Sequence, residues 1–118
     1  MAVADIGGNI VTRVLLTHTP DAFARYYGDS VLQHLQSLAR VERHMDATPL
    51  QGDALIQRAR GCDIIVSDRA TPGEAALFSQ VSELVAFVRC AVDIRIVDAD
   101  AASANGVLVT PASPASVY

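Results

Sequence analysis

The sequence contains no lysine and no tryptophan, and only two of its 118 residues are cysteine. All nine basic residues are therefore arginines; they are scattered along the chain, and the formal net charge is −4. Without a basic stripe the chain has no electrostatic footprint for nucleic acid, so we expect no nucleic-acid partner. No run reaches the ~18 consecutive apolar residues that span a bilayer, so we expect no membrane partner.

The two cysteines, Cys62 and Cys90, have neither CxxC spacing nor paired histidines nearby. This pattern favours buried reduced thiols over a disulfide or a zinc site, and we expect no metal. The first residues, MAVADIGGNIVTR, contain no basic stretch followed by an apolar block, so they predict neither a signal peptide nor a transit peptide. We expect a cytoplasmic protein.

Short apolar runs alternate with helical patterns along a chain long enough for one domain with one core. Strands are predicted at residues 10–17, 41–45, 63–67, 84–90 and 107–110. The alternation predicts an α/β fold, with a flavodoxin-like, doubly wound, five-stranded parallel sheet in the order 2-1-3-4-5. The third strand is apolar on both faces and should lie mid-sheet.

Helix boundaries are marked by capping residues. Thr19 precedes Pro20 as an N-cap, and Asp98 is placed to cap a short alanine-rich helix. Gly61 is placed to end the helix that starts near Asp53 as a left-handed cap. The stretch Thr71-Pro72-Gly73-Glu74 predicts a capping box. The inward-facing residues are predicted to be Leu35, Leu38, Leu55, Ile56, Ala59, Leu77, Phe78 and Val81, together with Val31 and Leu32.

The stretch DIIVSDRATPG, residues 63–73, brings Asp68, Arg69 and Thr71 to the carboxyl end of the predicted central strand. Ligands bind at that edge of parallel sheets. One hypothesis is a receiver-type domain phosphorylated on Asp68, but such chemistry needs an acidic pair and a lysine, and the chain has no lysine. The alternative for Asp68 alone is a solvated residue at a strand end.

The stretch LVAFVRCAVDIRIVDADAASANGVLVTPAS, residues 84–113, resembles the NAD-dependent D-isomer-specific 2-hydroxyacid dehydrogenase family, which includes phosphoglycerate dehydrogenase. The family pattern is an apolar strand, a glycine-containing loop, a helix opened by an Ile-Asp pair, two alanines, a glycine and a Val-Thr strand. The matching positions are Val97-Asp98, Ala101-Ala102, Gly106 and Val109-Thr110. The upstream DRATP is similar to an Arg-x-Thr-Pro loop of the family, and the resemblance is best over residues 53–113.

The resemblance implies that residues 1–110 form a flavodoxin-like substrate-binding domain and that 111–118 are a hinge toward a missing NAD-binding Rossmann domain. The sequence has no GxGxxG motif, because Gly7-Gly8 precedes the first strand, so no cofactor is expected in this chain. NAD or NADP is implied for the complete enzyme. The family's catalytic Arg, Glu and His lie in or after the Rossmann domain, so no catalytic residue is assigned here and the isolated chain is expected to be inactive.

The resemblance also implies a substrate site. The backbone N–H groups of Ala91, Val92 and Asp93 would hold the carboxylate of a small 2-hydroxy or 2-oxo acid. Arg69 is the side chain expected to clamp a carboxylate. The family commonly has glycine at the positions of Ala91 and Asp93, and the Asp93 carboxylate would repel an anion unless it turns outward or pairs with an arginine such as Arg95.

Another interpretation is a stand-alone flavodoxin-like interaction module without chemistry. The resemblance further implies that a helix from beyond this chain completes the domain in the family. Part of one sheet face should then be uncovered, and an exposed apolar patch of that kind commonly finds a partner. We therefore expect self-association.

Overall fold

The computed structural model describes residues 3–4, 10–26, 29–68, 71–89 and 97–111. Its strands are β1 (Val3–Ala4), β2 (Ile10–Val11), β3 (Arg13–Leu16), β4 (Arg40–Arg43), β5 (Ile64–Ser67), β6 (Ala86–Arg89) and β7 (Leu108–Pro111). Its helices are α1 (Pro20–Tyr26), α2 (Asp29–Leu38), α3 (Gly52–Ala59), α4 (Ala75–Gln80) and α5 (Ala99–Ala104).

Five of these strands form one parallel sheet in the order β4-β3-β5-β6-β7. Counted along the chain, the sheet strands follow the order 2-1-3-4-5, so the predicted fold class is confirmed. The register places Leu15 opposite Ile65, Ile65 opposite Phe87, and Phe87 opposite Val109. One apolar row therefore crosses the sheet, with β5 in the centre as expected.

The first predicted strand is divided. Ile10–Val11 forms β2, which pairs antiparallel with β1 as a separate two-stranded sheet. After Thr12 the chain enters β3 of the main sheet, where Arg13 opposes Arg40. The apolar run 10–17 gives no sign of this change of partner, because both pairings use the same extended backbone.

The larger core lies on the face covered by α3, α4 and α5. Phe78 of α4 meets Phe87 of β6 edge-to-face at 5.8 Å between ring centroids, a favoured aromatic geometry. The residues predicted to face inward from α3 and α4 are buried here, which confirms that prediction: they are Leu55, Ile56, Ala59, Leu77, Phe78 and Val81.

The opposite face has a smaller core. Val14 and Leu16 of β3 are buried with Phe23 of α1, and Leu35 of α2 packs against them. Leu38 was predicted to be inward but is 70% exposed. It is the last residue of α2, and only Ala39 separates it from β4, so its side chain projects past the sheet instead of onto it. The side chains of Val31 and Leu32 lie outside the described residues.

On that second face, the half formed by β6 and β7 is poorly covered. Ala86 pairs with Leu108, and Ala86 and Val88 alternate with the buried Phe87, so these side chains share the face opposite the main core. Leu108 is 66% exposed and Ala86 and Val88 are only partly buried. The expected uncovered patch is therefore present at this edge.

Loop chemistry follows the sequence signals in several places. Gly61, predicted as a left-handed cap after α3, has φ = +82°. Asp98 accepts a hydrogen bond from the Ala101 N–H at 3.0 Å and caps α5 as predicted. Thr19 accepts one from the Ala22 N–H at 3.3 Å.

None of the helices within the described ranges is long and apolar enough to traverse a bilayer.

Candidate functional site

Buried polar side chains gather where the central strands end. Thr17 and His18 follow β3, Ser67 ends β5 and Asp68 follows it, and Arg89 ends β6. All five residues are at most 6% exposed. Polar groups are costly to bury unless hydrogen bonds compensate them, so such a concentration at the ligand-binding edge of a parallel sheet marks a candidate site.

Asp68 organises the centre of this site. Its Oδ1 accepts hydrogen bonds from the Thr71 hydroxyl at 2.7 Å, the Thr71 N–H at 3.1 Å and the Thr17 hydroxyl at 3.3 Å. Thr17 Oγ1 in turn accepts from the Asp68 N–H at 3.1 Å. The network fixes the ends of β3 and β5 against each other.

Two expectations about this stretch were wrong. Asp68 is 5% exposed and thus buried, not solvated, because two threonines supply donors to its carboxylate. Thr71 does not begin a capping box: α4 starts at Ala75 with Glu74 as N-cap and no side-chain cap hydrogen bond. The Thr71 hydroxyl is instead committed to Asp68, three residues earlier.

His18 is 1% exposed and lies close to charges from two other strands. Burial lowers the pKa of its imidazole, the nearby Asp68 carboxylate raises it, and the Arg43 guanidinium lowers it. The net effect is a pKa below the ordinary value, so His18 is held neutral at physiological pH. The sequence alone gives no sign of this environment, because Asp68 and Arg43 are both distant from His18 in the chain.

Arg43 was not singled out from the sequence. It ends β4, and its guanidinium carbon lies 3.8 Å from the ring centroid of Phe23, a stacked cation–π arrangement. Its Nε is buried, with no hydrogen-bond partner among the described residues. No sequence signal could have found it, because Arg43 lies in the middle of the strand predicted at residues 41–45 and ends the strand only in the structure.

The segment after β5 is also tied to the start of α5. Gly73 forms a parallel bridge with Val97, and its carbonyl accepts a hydrogen bond from the Asp98 N–H at 2.7 Å. A Cβ at Gly73 would lie 2.8 Å from Val97 Cγ1 and 3.2 Å from Phe78 Cζ. Only glycine fits at this crossing without displacing its neighbours.

The predicted substrate residues Arg69, Ala91, Val92 and Asp93 all lie outside the described residues. Their described flanks belong to the buried polar edge: Asp68 and Thr71 on either side of Arg69, and Arg89 before the segment that contains positions 91–93. Their roles remain predictions.

The buried thiol prediction is confirmed for Cys62, which is fully buried. Burial first, and then the nearby Glu42 carboxylate, raise the pKa of this thiol to about 11. Cys90 lies outside the described residues. Within the described ranges no three His, Cys, Asp or Glu side chains are grouped to hold a metal ion.

A cavity of about 200 Å³ lies between the N-termini of α3 and α4. Leu55, Ile56 and Leu77 form part of its apolar lining, and Asp53 and Glu74 supply two carboxylates. Like charges repel, so this cavity does not suit an organic acid. The polar edge beside it is the better candidate for an anionic ligand.

The fold is a flavodoxin-like α/β domain with buried polar side chains at the carboxyl edge of its sheet. A family model described as "D-isomer specific 2-hydroxyacid dehydrogenase, catalytic domain" matches residues 14–117. The chain belongs to this family, which confirms the resemblance seen in the sequence. Comparison with curated proteins gave no match.

The similar solved structures include three dehydrogenases. A D-isomer-specific 2-hydroxyacid dehydrogenase from Polaromonas sp. JS6 66, described as NAD-binding, superposes with a TM-score of 0.73 at 16% identity, covering 84% of this chain and 29% of that one. Apo D-lactate dehydrogenase from Escherichia coli superposes with a TM-score of 0.66 at 14% identity, covering 85% of this chain and 30% of that one. NAD+-bound 3-phosphoglycerate dehydrogenase from Entamoeba histolytica superposes with a TM-score of 0.68 at 11% identity, covering 86% of this chain and 32% of that one. The chain thus spans about a third or less of each matched protein.

Proposed function

We propose that this chain provides the substrate-binding part of an NAD-dependent D-2-hydroxyacid dehydrogenase acting on the CH–OH group of a small 2-hydroxy acid. The observation that carries the proposal is the family match over residues 14–117. The buried polar edge supports it, because ligands of parallel sheets bind there. We place this enzyme in the cytoplasm, in keeping with the reduced, buried state proposed for Cys62.

The cofactor is proposed for the complete enzyme and not for this chain. The sequence has no GxGxxG loop to receive a dinucleotide, so no step involving the cofactor is assigned to these residues. NAD supplies hydride acceptance when it is bound, and the NAD+-bound E. histolytica structure supports this choice over a different redox group. We propose residues 1–110 as the substrate-binding domain and 111–118 as the hinge toward a cofactor domain; β7 ends at Pro111.

Within this chain, the proposed task is to bind and orient the acid. The backbone N–H groups of Ala91, Val92 and Asp93 would hold the substrate carboxylate, and Arg69 would clamp it bidentately. The Thr17–Asp68–Thr71 network would fix the loop that carries Arg69 by holding both its flanks. Replacing Asp93→Gly should tighten acid binding and Arg69→Gln should weaken it, because the first removes a negative charge and the second a positive one.

The alternatives have less support. A phosphorylated Asp68 is disfavoured because its Oδ1 already accepts three hydrogen bonds inside the protein and its side chain is 5% exposed. An interaction module without chemistry would need no polar edge of this kind. The family match gives no support to either alternative.

One titration separates the three functions. The isolated chain is titrated with glyoxylate, pyruvate and 2-oxobutyrate, followed by NMR, and separately treated with acetyl phosphate and Mg²⁺. We expect saturable binding of at least one 2-oxo acid and no phosphorylation. Phosphorylation of Asp68 would support the receiver function, and the absence of both effects would support the interaction module.

We also propose that the isolated chain self-associates through the exposed apolar face of β6 and β7. Leu108 is 66% exposed, the neighbouring Ala86 and Val88 are only partly buried, and none of residues 101–118 is charged to oppose contact between copies. Sedimentation at micromolar concentration should show a dimer that Leu108→Arg abolishes. A monomeric wild-type chain at all concentrations would contradict this.

A further inference from the structure

We draw no further inference here: the strongest candidate, the cavity between the N-termini of α3 and α4, carries two carboxylates, Asp53 and Glu74, whose places at the starts of these helices already account for them, and nothing in the part of the chain that the structure describes points to a ligand there.

Discussion

At the scale of single residues, the candidate site is held together by contacts between residues far apart in the sequence. Thr17 and Asp68 are 51 positions apart, yet they exchange two hydrogen bonds that fasten the ends of adjacent strands. A buried carboxylate is stable only where donors are supplied. Thr17 and Thr71 are therefore structural partners of Asp68, and substituting either of them should lower the free energy of unfolding.

Replacing Thr71→Val removes one donor to Asp68 Oδ1 and keeps the side-chain shape. We expect a loss of about 1–3 kcal/mol in the free energy of unfolding, because a buried carboxylate oxygen loses its shortest hydrogen bond. Urea denaturation measures the loss. Thr71→Ser, which keeps the hydroxyl, should lie near wild type; a smaller loss for Thr71→Val than for Thr71→Ser would show that the methyl group, and not the hydrogen bond, matters.

Protonation of His18 should couple stability to pH. Burial holds the folded-state pKa below the ordinary value of 6.5, so the unfolded chain takes up the proton first. The stabilisation is complete above pH 6.5 and is lost as the pH falls from 6.5 toward the lowered folded-state pKa. The chemical-shift titration of His18 and unfolding curves over this range measure the effect.

His18→Gln should flatten the unfolding free energy in that pH window. His34→Gln makes the same substitution on the exposed surface of α2. It is the control for any change in the pH profile that comes from losing a histidine, whether or not that histidine is buried. Parallel pH profiles for wild type and His18→Gln would refute the assigned environment of His18.

At the scale of elements, short helices depend on their ends. α5 has only six residues, and the Asp98 carboxylate accepts a hydrogen bond from the Ala101 N–H in its first turn. Asp98→Ala should cost about 1 kcal/mol of unfolding free energy. Asp100→Ala removes the same charge from the same turn and should cost less, so chemical denaturation of both variants isolates the cap. Equal costs would show that charge alone is responsible.

The crossing of Gly73 and Val97 joins two elements at the candidate site. Gly73→Ala should cost about 1–3 kcal/mol, because the new methyl group overlaps Val97 Cγ1. Adding Val97→Ala removes the overlapping atom, so the double variant should be less destabilised than the sum of the single variants. Urea denaturation of all three measures this coupling, and simple additivity would contradict the packing described here.

Elements were easier to predict than contacts. Local signals located Asp98 as a cap and Gly61 as a left-handed turn, because capping and positive φ depend on neighbouring residues. Thr71 has an equally good local signal for a capping box, but Asp68 competes for its hydroxyl. Arg43 had no local signal at all, since its environment is created by Phe23 on another element.

At the scale of the whole molecule, the order of the sheet follows from alternation and right-handed crossovers, and both were readable from the sequence. The separate β1–β2 pairing and the exposure of Leu38 could not be predicted from the sequence. They depend on how far each helix and strand extends over the elements next to it. The same limited coverage exposes Leu108 on β7. Because the strands of the parallel sheet all end at one edge, their polar end residues are brought together in the candidate site.

The central claim is that a small organic acid binds at this carboxyl edge. The most direct measurement is a map of backbone amide shifts during titration with a 2-oxo acid that binds. We expect the largest changes at the strand ends, at Thr17, Asp68 and Arg89, and little change at the strand starts, at Ile64 and Ala86. Shifts concentrated at the strand starts, or in the cavity between α3 and α4, would contradict the account.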